Sequence, residues 1–443
     1  MIARIRSLLV SINASYWFFP ALFSILAGLL ALLTVYLDRN GAAEWLQQFD
    51  WMHPSRPEGA RTTFTVIAGS MIGIAATVFS ITIAAVAYAS GNYGPRLLTN
   101  FMEDRGNQLS LGVFIATFTY SLMVLRTVRN ENEAAASSMS AGATALPGFT
   151  PQLSLMVGMI LAIFSVAVLV YFLHHIPASI RINTVLQGIG ERLIHDIKER
   201  FPTDAQEREP REQSPGEKVV ATSVGYVKII DFDGLDDIAR NCGATIAIKI
   251  RTGDFIHPLV PLVEVSNIDL TDDISRKIRN CISTGGMRSA TQDLEYLIDE
   301  LAEIALRALS PGINDPFTAV TAMHWTGAAV AELARRDLDR GPEQEDYDWD
   351  CVQPLSDDFN HYVQRSFGVI RSAAATSAVA SLKFIDALYA ASSACRSRKR
   401  SDLLVLEAQT MVRLARTQLS GPSLEELEVR LSDFKLKMKG EMN

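Results

Sequence analysis

Lysine is missing from the whole first part of this sequence: before Ile180 there are nine arginines, eight acidic residues and no lysine. Cysteine is missing there too, because Cys242, Cys281, Cys351 and Cys395 all fall later. They are scattered and without CxxC spacing, so neither a disulfide framework nor a zinc site is expected, and free thiols suit a reducing cytosol. The net charge of -8 sits almost entirely in the later part, which holds 32 basic and 41 acidic residues. That acidity argues against nucleic acid as a partner and against a polybasic lipid-binding surface.

P-loop, GxGxxG, HExxH and GxSxG patterns are also missing, which removes the nucleotide, zinc-peptidase and serine-hydrolase chemistries that depend on them. No catalytic residue, cofactor or metal is expected. Among the histidines only His174 and His175 are adjacent. Neighbouring side chains on a helix do not face one another, so an interfacial pair is expected there and not a metal site. The run Asp231 to Asp237 has the acids of a calcium loop but lacks its glycine at position six and its acid at position twelve.

What the first part does have is length without charge. Thr62 to Ser90 contains no charged side chain, and about 20 apolar residues cross a bilayer core. Four such spans are expected, at about 16–37, 62–90, 109–128 and 153–175. The second is unusual. Its third-and-fourth spacing collects Thr63, Val66, Ser70, Gly73, Thr77, Ser80, Ala84, Ala87 and Gly91, with bulkier Phe64, Met71, Ile72, Phe79 and Val86 opposite. Two readings stand for this seam of Thr63, Ser70, Gly73, Thr77 and Ser80: a packing face against a neighbouring helix or a second copy, or the lining of a narrow polar path. Four spans put both ends on one side. Arg4, Arg6, Arg96, Arg105, Arg181 and Arg192 against Arg39, Arg56, Arg61, Arg126 and Arg129 favour cytosolic N- and C-terminal parts in a bacterial inner membrane.

The stretches 38–61, with Trp45 and Trp51, and 131–152, rich in alanine and serine, read as loops. A membrane-proximal helix and a charged, proline-bearing linker occupy 181–218. Strand patterns follow at 224–230, 245–250 and 259–265, with a short helix closed by Gly243 between the first two. Gly253-Asp254-Phe255-Ile256 with Leu262 and Val265 resembles the hairpin of barrel-sandwich hybrid domains, which include the biotinyl and lipoyl carriers. Leu259 stands where that pattern has its second glycine, and no lysine lies at a hairpin tip, so a small structural or ligand-sensing β module is expected over 219–270.

From 271 to 443 the chain reads as helical, with an acidic loop at 343–358 and a basic turn at 396–400. Pro311 and Gly312 stop one helix; Asp315 caps the next, with Pro316 at its first position. Asp293, Glu300 and Arg307 form a polar line beside Arg288. Arg288, Asp293, Asn314 and Asp315 are thus candidates for a ligand or interface site, in which arginine would hold an anion and aspartate would act as base or metal ligand.

Ala68 to Ala85 (AGSMIGIAATVFSITIAA), Tyr93 to Val128, the GDF hairpin and ALSPGINDPFTA together resemble the bacterial predicted membrane proteins grouped as domain-of-unknown-function family 2254. The resemblance implies a multi-pass inner-membrane protein with a cytosolic C-terminal region, and no established activity. The expected architecture is a four-helix transmembrane bundle, 1–180, followed by a cytosolic α+β region made of a barrel-sandwich-like β module and a helical domain. The first functional expectation is a homo-oligomeric, channel-like or signal-transducing protein in the lipid bilayer, gated by a cytosolic domain that meets a small ligand or protein partner. The alternatives are a membrane-anchored enzyme with its site in the helical domain and an assembly scaffold.

Overall fold

A computed structural model describes residues 15–41, 56–94, 104–129, 149–201, 215–338, 351–355 and 358–440. The loop tryptophans Trp45 and Trp51, the alanine-rich 131–148, the linker core 202–214 and most of the acidic loop lie outside the described residues. Contacts divide the chain into a first unit, Ser11–Gly91 with Pro95–Ile180, and a second that holds Arg181–Asn443 and takes in Asn92–Gly94.

The first unit has four helices, α1 Phe18–Arg39, α2 Pro57–Tyr93, α3 Arg105–Leu125 and α4 Gln152–Ser179. All four are long and apolar enough to cross a membrane. α2 starts five residues earlier than expected, because Pro57 suits a first turn and Glu58 its positive end. α3 starts four residues earlier, because Asp104 accepts the Asn107 N–H at 3.0 Å and caps it. α4 carries Pro177 in its last turn.

α1 packs closely on α3, its small Ala27 and Ala31 turned inward. α2 buries Ala60, Phe64, Ile67, Met71, Ala75, Val78, Thr82, Val86 and Ala89, a stripe at three-and-four spacing. Of the bulky residues expected opposite the seam, Phe64, Met71 and Val86 are buried, whereas Ile72 and Phe79 are exposed. Two apolar clusters result. One joins Phe64, Tyr120, Val124 and Leu155; the other joins Met71, Val78, Leu111, Phe114, Phe172 and Ile176. Outward lie Ile25, Leu29, Leu32 and Leu33 of α1 and Ile160, Ile163, Val166 and Val170 of α4. A band of this kind is too large for a water-facing surface and is what acyl chains require.

The second unit mixes helices and strands. α5 Ile182–Arg200 follows α4 after only Ile180 and Arg181. Next come β1 Glu217–Val220, β2 Gly225–Ile230, α6 Phe232–Cys242, β3 Thr245–Ile248, β4 Phe255–Ile256, β5 Pro261–Ser266, α7 Asp272–Asn280 and β6 Ile282–Gly285. Gly243 closes α6 in the left-handed conformation, as its position at the helix end requires. Then follow α8 Leu294–Ala308, α9 Pro316–Ala334, β7 Val352–Gln353, α10 Phe359–Val363, a π turn Gln364–Gly368, α11 Val369–Ala374, α12 Ala378–Ser392, α13 Arg398–Ala415 and α14 Pro422–Gly440.

The strands form two sheets, β1-β5-β3-β7 and β4-β2-β6, not one closed barrel. Val227, Ile246, Ile248, Ile256, Val263, Val265 and Ile278 pack together as their shared core. β6 and β7 interrupt the region expected to be helical. β7 is two residues long and exists by parallel pairing with β3, more than a hundred residues earlier. Helices α8, α9, α12 and α13 build the second core, with Leu301, Met323, Leu333, Phe367, Phe384, Leu404 and Met411 almost wholly buried.

Candidate functional site

Each serine and threonine on the α2 seam needs a hydrogen bond wherever water is excluded. Thr63 Oγ1 donates to the Gly59 carbonyl, Thr77 Oγ1 to Gly73 and Ser80 Oγ to Ala76, at 2.9, 3.0 and 2.9 Å. These three bond back into their own helix. Ser70, Gly73, Thr77 and Ser80 are exposed and Thr63 is half-buried, so the seam faces away from the bundle of its own chain. A Cβ added at Gly69 or Gly73 would touch nothing within 4 Å.

Interior polar groups belong instead to α3, where Asn107, Gln108, Ser110, Thr117, Tyr120 and Ser121 are all buried. At one end His175 Nε2 lies 3.0 Å from both oxygens of Asp104, and its ring stacks on Tyr171. In the middle, Thr117 and Ser165 share a hydroxyl contact of 2.9 Å, and Ser24 meets Thr119 at 3.0 Å. At the other end the Tyr120 hydroxyl donates to the Ser154 carbonyl at 2.9 Å and meets Thr34 at 3.0 Å. Asp38 accepts the Leu153 and Ser154 N–H groups and the Ser154 hydroxyl. The sequence reading missed this line because periodicity marks polar positions without saying which helix face is inside.

In the second unit Arg288 and Asp293 do come together. Asp293 caps α8 by accepting the Tyr296 N–H at 3.0 Å and takes Arg288 Nε at 2.8 Å. Arg288 Nη1 reaches Asp299 at 2.6 Å, and Asp299 also takes Arg365 of the π turn at 2.7 Å. Arg365 continues to Glu295 at 2.9 Å, which meets His361 at 2.8 Å. Gly253, at φ +94, passes so close to Asp293 and Arg288 that any side chain there would collide with them. Burial raises the Asp293 carboxyl against the pull of Arg288. Burial would raise Asp299 too, but Arg365 and Arg288 outweigh it and hold that carboxyl below its ordinary value. Charges this fully paired act as a joint between the β sheet, α8 and the π turn, not as a waiting base.

Asn314 and Asp315 do not join them. Asp315 N–H bonds the Ala308 carbonyl at the far end of α8, a helix of 15 residues and so about 22 Å long. Asp315 caps α9 through the Thr318 N–H at 3.1 Å, and Asn314 turns the chain at φ +50, a conformation asparagine tolerates. A four-residue catalytic cluster therefore does not form.

Other features resolve structurally. His195, Asp196 and Glu199 cluster on α5, and His195 is 3.4 Å from Glu199 one turn on. In the basic turn, Arg400 donates to the Leu333, Ala334 and Arg336 carbonyls and so closes α9. Arg336, buried, does the same for α5 through Lys198 and Phe201. A groove of about 280 Å³ between α12 and α14 is lined by Asp386, Arg430 and Lys437, with Arg430 2.7 Å from Asp386 and Lys437 over the Tyr389 ring.

Residues 13–390 match the family described as predicted membrane protein, DUF2254. Uncharacterised proteins of Mycobacterium bovis and Mycobacterium tuberculosis are each 27% identical over 356 residues, covering 76% of this chain and 64% of theirs. The chain thus spans 64% of the length of these relatives. No solved structure matches. Four helices able to span lipid, an apolar outer band and a family match over most of the sequence agree: this chain is a multi-pass membrane protein and belongs to the bacterial DUF2254 family.

Proposed function

We propose that the protein is a homo-oligomeric, channel-like transducer of the bacterial inner membrane, in which the second unit, cytosolic, takes up a small ligand or a protein partner and biases the membrane helices. The observation that carries this reading is the outward seam of α2, where a Cβ at Gly69 or Gly73 would meet nothing within 4 Å and the Thr63, Thr77 and Ser80 hydroxyls are already bonded to their own helix. Such a stripe gains little from acyl chains and much from the close approach of another helix. The two-residue joint between α4 and α5 supports coupling, because a connection so short transmits a turn or tilt of one helix to the next. α5 is in turn tied to the joint before α8, with Arg200 donating to the Gln292 carbonyl at 3.2 Å.

Disulfide cross-linking tests the assembly. On a background with the four native cysteines replaced by serine, Ser80→Cys in native membranes should give a cross-linked dimer on mild oxidation, and Ile163→Cys on the outer face of α4 should not. Failure of Ser80→Cys to cross-link, or equal cross-linking at both sites, would remove the seam as an interface. Planar-bilayer recording of the purified protein tests the channel arm, with Thr77→Leu expected to change conductance without preventing insertion.

A further inference from the structure

The interior of the bundle holds polar atoms that no group among the described residues satisfies. Asn107 Oδ1 and Ser121 Oγ are both buried without a hydrogen-bond partner, with Asn107 1% and Ser121 0% exposed. They differ from the Thr77, Ser80 and Thr82 hydroxyls of α2, which bond their own backbone. Inside hydrocarbon an unsatisfied polar atom is costly, and internal water is its usual partner. The two orphans sit on one face of α3, fourteen residues apart and thus about 21 Å along the axis.

Polar groups continue the line on both sides. Beyond Asn107 stands the Asp104–His175 pair; beyond Ser121 stand Tyr120, Thr34, Ser154 and Asp38. Ser110 and the Thr117–Ser165 contact fill positions between them. One stretch is dry. Between Ser110 and Thr117 the interior is occupied by Leu111, Phe114 and Phe172, with both phenylalanines almost completely buried.

We propose that the polar face of α3 is a hydrated path for protons through each protomer, closed in this structure by Phe114 and Phe172. Between Asp104 and Asp38 the path offers hydroxyls and amides but no full charge, so it gives a metal or halide ion little to replace its hydration shell. A file of waters bridging hydroxyls passes a proton without that cost. One proton enters at one end and one leaves at the other, O–H bonds being made and broken in equal number, and the existing gradient across the membrane drives it. An apolar plug about 10 Å long closes such a file by excluding water, and histidine beside a carboxylate suits a mouth that hands protons to bulk solvent. The path lies within one protomer and stands whether or not the seam joins copies.

The test uses the full chain in liposomes with an internal pH dye and a potassium diffusion potential, and a sodium dye in parallel. Phe114→Ala is expected to raise proton flux at least tenfold over the native protein with sodium flux unchanged. Adding Thr117→Val and Ser121→Ala to that variant should return the flux to the native level. Phe172→Ala opens the same plug from α4 and replaces Phe114→Ala if the latter does not insert. No rise in either inserted, monodisperse variant, a rise shared by sodium, or a rise that survives loss of the hydroxyls would each overturn the proposal. The cross-linking described for α2 is unaffected by these outcomes, so failure of one reading is separable from failure of the other.

Discussion

Arg288 and Asp299 meet at 2.6 Å, and the same guanidinium holds Asp293 at 2.7 Å, yet the two carboxylates respond to folding in opposite directions. Asp299 is held below its ordinary value, so its contribution is fully present above the unfolded pKa of about 3.9 and is lost as pH falls through the lower folded value. Asp293 is raised by burial, so folding is penalised as pH climbs from the ordinary value through the raised one.

Asp299→Asn should therefore destabilise the second unit by about 3 kcal/mol near neutral pH, because two half-buried arginines, Arg288 and Arg365, lose a partner. Asp293→Asn keeps the helix cap and should cost about 1 kcal/mol or less. Thermal unfolding should rank the variants in that order, and the gap should shrink as pH falls below about 4, where the unfolded carboxyl takes up its proton, and vanish once pH passes the lower folded value of Asp299. Equal midpoints at neutral pH would contradict the assignment.

Gly190 of α5 lies directly under the indole of Trp325 of α9, where a Cβ would overlap the ring. Glycine to alanine inside a helix ordinarily gains up to about 1 kcal/mol. Here the sign should reverse: Gly190→Ala is expected to destabilise by about 1–3 kcal/mol through overpacking. Gly188→Ala, in open space two residues away, should be neutral or stabilising. A lower unfolding temperature for Gly190→Ala alone is the expected readout.

Leu259 is 78% exposed and held at φ +78. A left-handed leucine costs about 1–2 kcal/mol, and so exposed a side chain loses little on removal. Leu259→Gly should raise the stability of the sheet region by about 1 kcal/mol, measured by unfolding or by slower amide exchange at β5.

Cys242 is exposed, whereas burial pushes the Cys281 and Cys395 thiols up to about 11. Of these three, Cys242 should react first with a maleimide at neutral pH, and the other two only on unfolding, since thiolate is the reactive form. An impermeant maleimide should label Cys242 in inverted membrane vesicles and not in intact spheroplasts. The reverse pattern would place the second unit outside the cytosol.

The helices of the first unit were readable because uncharged length is a local property, and the α8 to α9 turn was readable because Pro311, Gly312, Asp315 and Pro316 act on their own neighbours. The Gly243 stop was legible for the same reason. What escaped depends on partners far away in sequence: β7 on β3, Arg365 on Asp299, His175 on Asp104. The seam was visible as a stripe, but its direction was not, because Thr77 and Ser80 look alike whether they face a neighbour or their own bundle. Asn314 and Asp315 were grouped with Arg288 by nearness in the chain, and the length of α8 separates them.

Asp38 uses both carboxylate oxygens on the opening turn of α4, fastening the tail of α1 to the head of α4. A bundle pinned at that rim has little freedom to splay there, so these two helices can part only at their opposite ends, as a pair of tongs opens away from its rivet.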